Sequence, residues 1–138
     1  MNQSPELRDL VLRTYDAVAS GDASFFDRHL AHQEGVLIIG TDPNEWWTDP
    51  DTITRVFKAQ VREMGGLRVV GSDPQAYSTD TVGWVADRPT FRLPDGTDIP
   101  LRNTLVFVKE AGDWKLIHQH LSIGVPNQAA VGQDLPLG

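Results

Sequence analysis

The sequence predicts an α+β fold in which a curved antiparallel sheet wraps around three N-terminal helices. Two observations carry this expectation. Up to Gly66 the apolar residues recur largely at helical spacing, and from Leu67 onward they alternate. The joints between the later segments are short, so consecutive strands should be antiparallel neighbours. Helices gathered in one half and a strand meander in the other give the α+β arrangement around one core.

The first helix is expected over residues 6–19, where Leu7, Leu10, Val11, Tyr15 and Val18 share a face. Ser4-Pro5 supplies a cap and a first-turn proline, and Gly21 stops the helix. Asp22 is placed to cap a short second helix that buries Phe25, Phe26 and Leu30. Gly35 introduces the brief β-rich run Val36-Leu37-Ile38-Ile39. The polar segment TDPNEWWTD follows and carries two tryptophans, which a loop keeps when it folds them over something. Asp49-Pro50 restarts a helix with Ile53, Val56, Phe57, Gln60, Val61 and Met64 on one stripe, ended by Gly65-Gly66.

Residues 67–78, 81–93, 99–108 and 114–125 read as four strands. Asp95-Gly96 predicts a two-residue hairpin turn pairing Pro94 with Thr97, which sets Asp87 opposite Thr104 and Trp84 opposite Phe107. Pro89 cannot donate to a ladder, so a bulge there would shift this count by one. In the last hairpin, a three-residue loop Glu110-Ala111-Gly112 sets Thr104 opposite His118 and Arg102 opposite His120. One face then holds Asp87, Arg102, Thr104, His118 and His120. The other holds Trp84, Leu101, Asn103, Leu105, Phe107, Ile117, Gln119 and Leu121. A two- or four-residue loop would instead bring both histidines beside Asn103 and Leu105.

Length and composition set bounds on function. At 138 residues, with 40% hydrophobic and 22% charged residues, the chain is expected to form one domain, residues 1–126, with 127–138 as a C-terminal tail. A net charge of −7 argues against nucleic-acid or anionic-membrane partners. The absence of cysteine removes disulfides, zinc thiolates and thiol chemistry. No basic start with an apolar core opens the chain and no apolar run is long enough to span a bilayer, so a cytoplasmic protein is expected.

His118 and His120 lie two apart on a strand and share a face, about 6 to 7 Å between α-carbons. That spacing suits a structural pair on the sheet's outer face, a base working near neutral pH, or two ligands of a metal whose third would be Asp87. The expectation is for no metal and no cofactor. Arg102 in a strand interior needs a partner, and Asp87 is the candidate. Asn103 and Gln119 could orient a polar group in an apolar pocket. Trp46 and Trp47, flanked by Asp42 and Glu45, read either as a lid offering a carboxylate base or as a loop pinned by its own aromatics.

The stretches GTDPNEWW, VGWVADRPTF and LRNTLVFVKEAGDWKLIHQHLS resemble the nuclear transport factor 2-like superfamily, and within it the SnoaL-like domains. The last stretch is also similar to the association domain of calcium/calmodulin-dependent kinases. The resemblance spans residues 6–126. It implies a cone-shaped α+β barrel, commonly dimeric, with a pocket between helices and sheet. Leu105 and Leu121 stand where the kinase domains carry basic pocket residues, so a carboxylate-binding pocket is not implied. No isomerase Tyr-plus-Asp pair and no epoxide hydrolase Asp-Arg-Asp set is matched.

Two functions follow as expectations. In one, the pocket binds a small, largely apolar molecule, with cofactor-independent acid/base chemistry of isomerase, cyclase or dehydratase type. His118, His120, Asp87 and Glu45 are its candidate catalytic residues, supported by Arg102. Trp46, Trp47, Trp84, Asn103, Leu105, Gln119 and Leu121 would line the pocket. In the other, the chain is a non-catalytic dimerisation or assembly module with a vestigial pocket.

Overall fold

The computed structural model describes all of residues 1–138. A short edge strand β1 (Asn2–Gln3) precedes α1 (Pro5–Ser20). Ser4 Oγ accepts from the Leu7 N–H at 3.2 Å, and Gly21, with φ +75°, closes the helix. Leu7, Leu10, Val11, Tyr15 and Ala17 form its buried face. Helix α2 (Ser24–His29) begins one residue later than an Asp22 cap would place it, with Ala23 at the N-cap position and the Asp22 carboxylate accepting from the Ser24 hydroxyl. Strands β2 (Leu37–Ile39) and β3 (Trp46–Trp47) lead into α3 (Pro50–Glu63), whose N-terminus is capped by Asp49 Oδ2 accepting from the Thr52 N–H at 2.9 Å.

The four expected strands divide further. They become β4 (Arg68–Val70), β5 (Gln75–Ser78), β6 (Val82–Asp87), β7 (Thr90–Arg92), β8 (Asp98–Pro100), β9 (Arg102–Glu110) and β10 (Asp113–Ser122). The break between β6 and β7 falls at Pro89, which lacks the N–H a continuous ladder needs. The outer pieces form a three-stranded sheet in the order β4-β7-β8. The remainder forms a curved, unclosed seven-stranded sheet ordered β1-β5-β6-β9-β10-β2-β3. Its pairs are antiparallel except β10 with β2, which run parallel because the long excursion through α3 and the meander returns the chain beside β2 in the same direction. Helix α4 (Asn127–Val131) adds one short turn to the tail, with no buried residue. No helix is long and apolar enough to cross a membrane.

Two turns decide which side chains face the helices. The β7–β8 loop has three residues, not two: Leu93 N–H donates to Thr97 O at 2.9 Å, and Gly96 takes the left-handed position with φ +89°. Arg92 therefore faces Asp98, and along the neighbouring pair Asp87 faces Asn103 while Trp84 faces Val106. This one-residue change exchanges the two faces of β6.

The β9–β10 turn has two residues, Ala111 and Gly112, at φ +51° and +84°, so Glu110 faces Asp113. A bulge between Leu116 and His118 then slips the register once more. Two slips of one residue restore the parity. His118 faces Val106, His120 faces Thr104, and the histidines share a face with Arg102, not with Asn103 and Leu105.

The helices pack on the concave face. Ala76, Val85, Leu105 and Ile38 of the sheet are buried with Leu7, Val11 and Ile53 of the helices. Contact is close enough that a Cβ at Gly83 would overlap Leu7 Cδ1.

Candidate functional site

A cavity of about 440 Å³ lies between α1, α3, the small sheet and the concave face of the large one. Hydrophobic residues make up 16 of its 24 lining residues, which suits an apolar occupant. Helix α1 brings Tyr15 and helix α3 brings Phe57, Gln60 and Val61. The sheet brings Trp47, Asn103, Gln119 and Leu121. The apolar rim also includes Phe91 and Ile99 of the small sheet.

At the inner end a chain of hydrogen bonds runs through the core. Gln119 Nε2 donates to Asn103 Oδ1 at 2.9 Å, and Asn103 Nδ2 donates to Tyr15 Oη at 3.2 Å. Tyr15 Oη donates to Asp87 Oδ2 at 2.9 Å. Asp87 also accepts from Ser72 Oγ at 2.6 Å and from the backbone N–H groups of Asp73 and Arg88 at 3.0 and 2.8 Å. Asp87 is 7% exposed and Asn103 2%. Such burial is tolerated because each polar group finds a partner. Burial is the main cause that pushes the Tyr15 hydroxyl well above the usual phenol range, so it stays protonated.

At the other end Glu45 lies half-buried on the cavity wall. Its Oε2 accepts from Gln60 Nε2 at 2.7 Å and its Oε1 from the Asp42 N–H at 2.9 Å. Gly40 makes room for it: a Cβ there would stand 2.8 Å from the Glu45 carboxyl carbon.

The expected site residues therefore separate. Glu45, Trp47, Asn103, Gln119 and Leu121 line the cavity. His118 and His120 do not: they sit on the opposite face, where the His118 ring Nδ1 contacts Leu37 O at 2.8 Å. Asp87 is on the cavity side of the sheet but behind Tyr15, saturated by its donors, and does not line the space. The expected Asp87–Arg102 pair is absent because the register places them on opposite faces, and Arg102 is exposed. The same separation leaves the histidines without Asp87 as a third metal ligand, and no group of three or more His, Asp or Glu could hold a metal ion.

Trp84 is on the outer face, stacked on Tyr77 at 5.2 Å between ring centroids. Trp46 pairs with Ile39 at the sheet edge and is 62% exposed, since neighbours along a strand point oppositely. Leu105 is packed in the core beneath the cavity.

In the sequence Tyr15 and Gln60 stand only as members of helical stripes; the structure makes them polar groups of the cavity wall. A tyrosine at the centre of a buried stripe was the available signal, because its hydroxyl must find a partner.

A second cleft of about 480 Å³ opens between α1, α2 and the start of β10, with only two hydrophobic residues among its eight. His29 lies there, its pKa lowered chiefly by burial and then by Arg13, Lys115 and Arg28. Its open, polar lining offers an apolar ligand little to bury against.

The model of the SnoaL-like domain matches residues 7–126. The chain belongs to the SnoaL-like domain family. Comparison with curated proteins returns no significant match. Among solved structures, a nuclear transport factor 2-like protein of unknown function from Pseudomonas putida superposes with a TM-score of 0.79 at 15% identity, over 94% of this chain and 91% of that one. A candidate ketosteroid isomerase from Shewanella frigidimarina gives 0.69 at 20% identity, over 83% and 92%. A candidate calcium/calmodulin-dependent protein kinase II association domain from Xanthomonas campestris gives 0.69 at 22%, over 90% and 95%. At these identities the likeness establishes the fold of this SnoaL-like domain and not its activity.

Proposed function

We propose that the SnoaL-like domain binds a small, largely apolar molecule in the concave cavity and that Glu45 serves there as the base of cofactor-independent proton transfer, of isomerase, cyclase or dehydratase type. The observation that carries this reading is the position of Glu45, a half-buried carboxylate on the wall of an otherwise mainly apolar space. Apolar walls exclude water, and the Glu45 carboxylate is fixed on the cavity wall by Gln60 and the Asp42 N–H. Resemblance in fold to a candidate ketosteroid isomerase is consistent with this chemistry.

The test is a thermal-shift screen of hydrophobic metabolites on wild type and Glu45→Gln, followed by turnover assays on each ligand found. Glu45→Gln should retain binding and lose activity by roughly 10² to 10⁴-fold, the usual contribution of a positioned base. Equal turnover in the two proteins would remove Glu45 from the chemistry. No ligand at all would remove the cavity reading.

A second reading, a dimerisation or assembly module, rests on the outer face. There Tyr77, Trp84, Val106, His118 and Leu37 form one row across five strands, and all are only partly buried. A row of this composition suits contact with a second copy. The two readings are compatible, because cavity and outer row lie on opposite sides of the sheet.

A further inference from the structure

We propose that the second cleft, between α1, α2 and the start of β10, binds a compact tetrahedral dianion, a phosphate or phosphate-ester group, through Arg13, Arg28 and Lys115 beside His29. The cleft shares no lining residue with the apolar cavity, so the proposal stands apart from the reading of that cavity.

Three elements bring the basic groups together. Arg13 is on α1, Arg28 and His29 are on α2, and Lys115 is on β10. The buried Phe25 ring gathers the first three around it. Its centroid lies 6.0 Å from the Arg13 guanidinium carbon, 5.7 Å from that of Arg28 and 4.3 Å from the centre of the His29 ring. Lys115 is tied to the same helix, because its Nζ donates to Arg28 O. In a chain of net charge −7 with only 12 lysines and arginines, three of them stand among the eight residues of this cleft. Glu6 and Asp113 also line it, yet neither forms an ion pair with any of the three. Three cations against two carboxylates leave the wall net positive on a strongly acidic protein.

What these cations already hold is local and weak. Arg13 Nε donates to Asp9 at 3.0 Å, Arg28 Nη1 donates to Ser24 Oγ at 3.1 Å, and Arg28 Nη2 stands 3.9 Å from Asp22. Asp9 and Asp22 are exposed, and exposed pairs of this kind contribute little and give way to another anion. Both Nη groups of Arg13, the Nε and Nη2 groups of Arg28 and two of the three Lys115 protons have no hydrogen-bond partner. Trp114, a wall residue 7% exposed, also has an indole N–H without an acceptor. Guanidinium forks and an ammonium from three elements suit the three free oxygens of a phosphate group. His29 reports the field between them. After burial, Arg13, Lys115 and Arg28 are the causes that lower its pKa, ahead of the opposite pull of Asp113. An anion among the cations cancels that push, so the His29 pKa rises on binding and binding tightens as the pH falls.

The first probe is sulfate, a tetrahedral dianion whose charge is constant between about pH 5 and 8, the range in which histidine titrates. It is added to the purified full chain against sodium chloride of equal ionic strength, and the histidine rings are followed by NMR. Loss of one resonance in His29→Gln identifies His29. Sulfate should raise the His29 pKa and leave that of His120, on the outer sheet face, at its value in chloride. Isothermal titration calorimetry should show sulfate bound about threefold more tightly at the acid end of that range than at the alkaline end. Arg13→Gln and Arg28→Gln should each weaken it about fivefold, the effect of one exposed charge. Inorganic phosphate and phenyl phosphate then separate the sources of the group. Tighter binding of phenyl phosphate assigns a phosphate ester and tighter binding of phosphate the free ion; each supports the site. A His29 resonance that moves no further in sulfate than in chloride overturns the proposal. So does a sulfate affinity unchanged in the Arg13→Gln/Arg28→Gln double variant. The wild-type His29 titration decides the matter without reliance on any variant's stability.

Discussion

The two faces of the seven-stranded sheet carry polar residues in opposite circumstances. On the concave face Asp87, Asn103 and Gln119 are joined by Tyr15 into one connected chain between the core and the cavity. On the outer face Arg102, Thr104 and His120 are exposed, and His118 makes a local contact with Leu37 O. The histidines are chemically the more versatile groups, yet the polar groups lining the mainly apolar cavity are amides, a phenol, two threonines and two carboxylates. Reactivity of a side chain does not place it; the register of its strand does.

The contrast is broken most severely at Asp87. Asp87→Ala would leave the Tyr15 and Ser72 hydroxyls and two backbone N–H groups without their acceptor in or near the core. Each unsatisfied buried donor costs about 1 to 3 kcal/mol, and relaxation lets some find water, so a loss of roughly 3 to 5 kcal/mol in unfolding free energy is expected. Urea denaturation measures it. A loss below about 1 kcal/mol would mean that the chain is not a structural unit.

How much of this contrast was readable in the sequence depends on which step is considered. The three helices, their caps at Ser4 and Asp49, and the change to alternating strands were legible because caps and periodicity act locally. The face of β6 was not. Asp95-Gly96 signals a two-residue turn, but Pro94 joins the loop and Gly96 takes the left-handed position of a three-residue one, so Asp87 and Trp84 exchanged faces. Pro89 marked the strand break without giving its consequence.

The face of His118 and His120 came out as expected for a different reason from the one inferred. The turn was one residue shorter than read, and the bulge at Ile117 compensated. No local residue signals that bulge. Glu45 was legible as a candidate from its place between Asp42 and the tryptophans. Its partner Gln60 was not, since only tertiary packing joins a loop to a helix fifteen residues on.

A smaller effect sharpens the outer face. Trp84→Lys removes the stacking on Tyr77, worth about 0.5 to 1.5 kcal/mol, and places a charge in the middle of the partly buried row. If that row is the contact between two copies, light scattering after gel filtration should show the wild-type mass halved in the variant. An unchanged mass assigns any assembly to another surface. The cavity ligand should bind Trp84→Lys as it binds wild type, because the indole is on the far side of the sheet.

The smallest effect is expected at His120. Its ring is exposed, faces Thr104 on the outer face, and makes no side-chain hydrogen bond within the chain. Substitution at such a surface position changes stability by no more than about 0.5 kcal/mol. His120→Ala should therefore match wild type in urea midpoint and in affinity for the cavity ligand, while its neighbour Gln119→Leu, one residue along the same strand on the cavity wall, should lower that affinity by about tenfold. The pair isolates the alternation of β10 from every other variable, because the two positions share backbone, depth along the strand and distance from the turn. A His120→Ala protein that lost ligand affinity as Gln119→Leu does would mean that the outer face reaches the site, and the separation of the two faces would fail.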